Sequence, residues 1–78
     1  MSDLPAISGK QAIKAFSADG FRVERISKSS HHIMKKTGHP LLLSVPVHGN
    51  KTLKPGTLRG LITASGLTVE QFVSLLKD

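Results

Sequence analysis

The segment Lys28-Ser29-Ser30-His31-His32-Ile33-Met34 sets two consecutive histidines between a polar, basic turn and an apolar, strand-like run. Imidazole is the side chain that ordinarily changes charge near neutral pH, so this stretch holds groups that give and take protons under physiological conditions. His39 and His48 stand apart from the pair, each beside turn residues where solvent-exposed loop histidines are common. Zinc ligation by His31, His32, His39 and His48 is the other chemistry to weigh. Adjacent strand positions diverge, however, and no cysteine or helical histidine pair completes a recognised ligand spacing. The pattern therefore predicts no metal and no cofactor.

These groups sit in a chain whose charge suits a polyanion. Its 78 residues carry 11 Lys plus Arg against 5 Asp plus Glu, a formal net charge of +6. A chain of this length buries only about 60 to 65 % of its unfolded surface, so nearly every apolar residue is needed for the core. A large internal substrate cavity is not expected. Function is expected on a surface or shallow groove, and the basic excess favours nucleic acid over a membrane. The absence of cysteine fits a reducing compartment, and a cytoplasmic location is expected. The longest apolar runs, such as Leu41-Leu42-Leu43, are too short to span a bilayer, and no signal peptide is evident.

Glycine, proline and serine punctuate the elements that must position the histidines. Met1 to Ala6 reads as a loose leader. Ser8 and Gln11 form a capping box for a first helix running to about Asp19, with Ile7 and Ala12 in staple positions and Ala12, Ile13 and Phe16 on one stripe. Gly20 suits the left-handed residue that ends it. Phe21 to Arg25 alternates apolar and charged residues as a half-buried strand does, Ser30 to Lys35 is a second strand, and Leu41 to Val45 is a third, stopped by Pro46. Pro55 opens a second helix with Leu58, Leu61 and Ile62 inward, and Gly66 closes it. Thr68 and Gln71 cap a third helix, whose apolar face is Val69, Phe72, Val73 and Leu76.

Three consecutive strands on short connections predict an antiparallel meander, and the whole an α+β two-layer fold with helices covering one face of the sheet. The other face stays open to an extended polyanion. Strand parity puts His31 with Ile33 and Lys35 on one side and His32 with Ser30 and Met34 on the other. Both sides mix polar and apolar residues, so alternation does not say which is open.

Ser8-Gly9-Lys10, Gly20-Phe21, Ser30-His31-His32-Ile33, Val45-Pro46-Val47-His48-Gly49-Asn50-Lys51, Leu53-Lys54-Pro55-Gly56-Thr57-Leu58 and Ala64-Ser65-Gly66-Leu67 follow one another in an order and spacing that resembles a HicA-family toxin. These are the small mRNA-cleaving partners of HicA/HicB toxin-antitoxin pairs. Nearly the whole chain takes part, as a single domain over residues 1–78. The resemblance implies a fold like the double-stranded-RNA-binding domain, α-β-β-β-α with a further helix. It also implies metal-independent endoribonuclease activity on mRNA and inhibition by a HicB-type antitoxin. It places the catalytic histidine on His31. In RNA the 2′-hydroxyl supplies the nucleophile, so a base that takes its proton and an acid that protonates the leaving 5′-oxygen complete the reaction. Lys10, in the first turn of a helix, and Lys28 and Lys35, nearest in sequence, are the expected RNA contacts.

The family usually has Gly-Ser-His or Gly-Gly-His where this chain has Ser29-Ser30-His31. A positive φ at Ser29 would cost about a kcal/mol and displace the histidine. Lys51, Lys54 and Arg59 suit either RNA or a solubilising surface, and the loop from Val45 to Lys54 is either a connector or a lip beside the site. Two other readings use the same surface: a non-catalytic double-stranded-RNA-binding module, and a domain whose basic face or sheet edge docks an acidic protein.

Overall fold

The computed structural model describes residues 4–77. Their elements are α1 (Gly9–Ala18), β1 (Arg22–Ile26), β2 (His31–Lys35), β3 (Leu43–Pro46), α2 (Pro55–Ser65) and α3 (Val69–Leu76). Helix α1 starts where local chemistry requires. Ser8 Oγ accepts from the Gln11 N–H at 3.3 Å and Gln11 Oε1 from the Ser8 N–H at 2.9 Å, which satisfies two donors the helix start leaves orphaned. Thr68 and Gln71 repeat the device at α3, at 3.1 and 2.8 Å. Pro55 stands at the start of α2, and Gly66, at φ +82°, ends it.

The sheet is antiparallel in the order β1-β2-β3, the α+β arrangement expected. Met34 pairs with Leu43 and His32 with Val45. Met34, Leu43 and Val45 are fully buried and join Phe16, Leu58, Ile62 and Phe72 in one core, so this is the face the helices cover. Phe16 anchors it, with its ring centroid 4.9 Å from Phe72 and 6.0 Å from Phe21.

Several expectations are corrected here. β1 is not half-buried: all five of its residues are exposed, Val23 at 39 % and Ile26 at 60 %, because the helices pack on β3 and leave the far edge of the sheet uncovered. β1 also carries a bulge at Glu24, so Val23 opposes Met34 while Arg25 opposes Ile33. Simple alternation would have put Val23 and Arg25 on one face; the extra residue sends them to opposite faces. β3 begins at Leu43, where the ladder with β2 begins, and leaves Leu41 and Leu42 exposed before it. On α3, Leu75 packs on the core with Val69 and Leu76, and Phe72 alone is fully buried. Of the leader expected over residues 1–6, residues 1–3 lie outside the described residues, and Leu4 packs half-buried against the core.

Candidate active site

Cross-strand pairing settles the orientation that alternation left open. Residues directly opposite in an antiparallel ladder share a face. His32, paired with buried Val45, points to the covered side, and its Nδ1 is buried with no hydrogen-bond partner among the described residues. His31 pairs with Pro46 and Ile33 with exposed Ser44, so His31 lies on the open side.

The β1–β2 hairpin holds His31 in place. The Ser27 N–H donates to the His31 carbonyl at 2.9 Å and the Ser30 N–H to the Ser27 carbonyl at 3.0 Å, closing a three-residue loop of Lys28, Ser29 and Ser30. Such a loop needs a left-handed residue at its third position, and Ser30 takes it with φ +63°. The strain expected at Ser29 therefore falls on Ser30, the second residue of the motif. Ser29 is free of it, and instead its Oγ lies 3.0 Å from His31 Nδ1 and 3.3 Å from Ser27 Oγ. Ser27 Oγ also accepts the His31 N–H at 3.2 Å.

Two of the lysines expected to contact RNA lie on this hairpin. Lys35 is exposed on the His31 face, four positions along β2, and Lys28 is exposed in the loop. Arg22 opposes Lys35 and Arg25 opposes Ile33, so two arginines that the strand pattern did not single out join the same face. The bulge that brings Arg25 there leaves no signal in the alternation. Lys36 does not join them: its Nζ pairs with Asp19 Oδ2 at 3.1 Å and stands 5.6 Å from the Phe21 ring centroid.

Lys10 is exposed in the first turn of α1, beside Gly9, and α1 docks at the end of β3. A side chain at Gly9 would collide with the Pro46 carbonyl oxygen, so only glycine lets the helix start this close to the strand position that pairs with His31. Beyond Pro46 an open groove of about 450 Å³ runs past His48, Lys51, Lys54 and Thr57. The Val45–Lys54 loop borders this groove. His39 is not the solvent-exposed loop histidine expected. It is half-buried, Nε2–H donates to the Ala64 carbonyl at 2.7 Å near the end of α2, and its ring meets Phe21 edge-on at 5.4 Å. Among the described residues no three of His, Asp or Glu converge as a metal cluster, and no helix is long and apolar enough to cross a membrane.

Fold and site together define a small α+β protein with one uncovered, basic sheet face bearing a single histidine. Residues 9–67 match the family model described as the HicA toxin of bacterial toxin-antitoxin, and the chain belongs to that family. No curated protein matches it.

Proposed function

We propose that this toxin is a metal-independent endoribonuclease that cleaves mRNA in the cytoplasm, with His31 as its proton-transfer residue, and that a HicB-type antitoxin silences it by covering the same face. The observation that carries the reading is the open-face position of His31, with Nδ1 engaged by Ser29, Nε2 left for substrate, and Arg22, Arg25 and Lys35 on the same face. RNA brings its own nucleophile. The 2′-oxygen loses its proton, its bond to phosphorus forms, the bond from phosphorus to the 5′-oxygen breaks, and that oxygen gains a proton. Neutral Nε2 takes the first proton or protonated Nε2 supplies the second, with water serving at the other end, so the step balances without a metal. Cations beside the phosphate offset charge developing on its oxygens. Lys28 and Lys35 flank the histidine, and Lys10 and the groove beyond Pro46 continue a basic path for the rest of the strand.

His31→Ala tests the assignment. The variant is expected to fold, to lose about 10²- to 10⁴-fold in RNA cleavage, the usual share of a positioned acid or base, and to stop arresting growth. Undiminished cleavage by the folded variant would remove His31 from the mechanism. RNA binding by the parent with no cleavage would instead mark a binding module.

A further inference from the structure

Ser29 occupies a position where the resemblance leads one to expect glycine, and its hydroxyl lies between His31 Nδ1 at 3.0 Å and Ser27 Oγ at 3.3 Å. Ser27 Oγ in turn accepts the backbone N–H of His31 at 3.2 Å. Two proton arrangements satisfy this chain. In one, Ser27 donates to Ser29 and Ser29 donates to Nδ1, which leaves the single proton of neutral His31 on Nε2. In the other, Nδ1–H donates to Ser29 and Ser29 donates to Ser27, which leaves Nε2 with a free lone pair.

Only the second suits proton transfer at Nε2. A neutral ring must offer a lone pair there to act as base, and a protonated ring donates from both nitrogens. In either state Nδ1 is a donor and Ser29 an acceptor, so the ring can gain and lose its Nε2 proton without any hydroxyl turning. The first arrangement blocks Nε2 in the neutral form and requires Ser29 to rotate whenever the ring is charged.

We propose that Ser29, backed by Ser27, is a positioning residue that fixes His31 in the Nδ1–H tautomer and aims Nε2 at the scissile phosphate. Glycine at this position has no side chain for the task. The serine thus adds a hydrogen bond to the catalytic ring instead of disturbing it. The choice between the two arrangements, and with it the role of Ser29 in catalysis, rests on His31 being the proton-transfer group proposed above, while the tautomer itself is read without RNA.

The test measures the nitrogen-15 shifts of the His31 ring in the free, labelled full chain at a pH where the ring is neutral, alongside single-turnover cleavage of a model RNA. The parent is expected to show the Nδ1–H tautomer. Ser29→Ala and Ser29→Gly lose that preference and cleave about tenfold more slowly at saturating RNA, the worth of one hydrogen bond, while Ser29→Thr regains both. A parent ring protonated on Nε2, or a tautomer unchanged in both Ser29→Ala and Ser29→Gly, overturns the inference. Cleavage that survives His31→Ala overturns the catalytic role proposed for His31 instead, and the ring spectra still decide the tautomer.

Discussion

His31 and His32 are chemically identical and one peptide unit apart, yet the sheet gives them opposite surroundings. His32 turns its Nδ1 into a buried position beside the core; His31 lies on the open face among cations. Parity alone guarantees that the two differ, and the partner strand decides which is which, through Val45 and Pro46. That decision lies outside the histidines' own neighbourhood in sequence, so it was not legible there. The loop before them was misread by one residue for a related reason: serine-rich turns show where a turn lies, while closure of the ladder at Ser27 and His31 fixes which residue is left-handed. Ser30 bears that conformation, with a side chain that makes no hydrogen bond among the described residues and backbone bonds that glycine would keep. Ser30→Gly is therefore expected to stabilise the fold by about 1 kcal/mol, seen as a higher urea midpoint at unchanged slope. A lower midpoint would mean that the hairpin does not hold Ser30 in a strained state.

Among the elements, the approach of α1 to β3 constrains the site most tightly. Gly9 is buried at the first position of α1, and an added methyl would meet the Pro46 carbonyl oxygen, which is backbone and not free to swing aside, with Val47 Cγ2 only 3.1 Å away. Gly9→Ala is expected to cost about 1–3 kcal/mol, as overpacking does, and to shift the backbone resonances of Val45, Val47 and His31. Gly60→Ala is the matching control. Its added methyl meets open space within α2, so helix propensity alone should stabilise it by up to about 1 kcal/mol. Equal responses of the two variants would refute a close approach at Gly9. The helix boundaries were legible because a capping box, Pro55 and Gly66 act within a few residues. The burial of β1 was not, since its alternating pattern matches a half-covered strand and only the placement of the helices over β3 leaves it bare. The bulge at Glu24 escaped because it leaves no signal in the alternation, and with it the placement of Arg25, opposite Ile33, on the His31 face.

At the scale of the whole molecule, a net charge of +6 says that a polyanion is welcome without saying where. The fold divides the cations unequally. Arg22, Arg25 and Lys35 share the open face, Lys51 and Lys54 line the groove beyond Pro46, and Lys36 is tied to Asp19. A single-stranded RNA crossing the open face and entering the groove would meet about three or four of these charges through phosphates. Each phosphate neutralised contributes about 0.7 to the slope of log affinity against log salt, so the expected slope is about −2 to −3. Lys35→Ala and Arg25→Ala should each reduce its magnitude by about 0.7, whereas Lys36→Ala should leave it nearly unchanged, because that ammonium already has a carboxylate partner. Binding of a non-cleaved RNA analogue, measured over a range of salt concentrations, separates a defined track from diffuse attraction. Were net charge alone responsible, every lysine would count alike and Lys36→Ala would match Lys35→Ala; a track along the His31 face requires the two to differ.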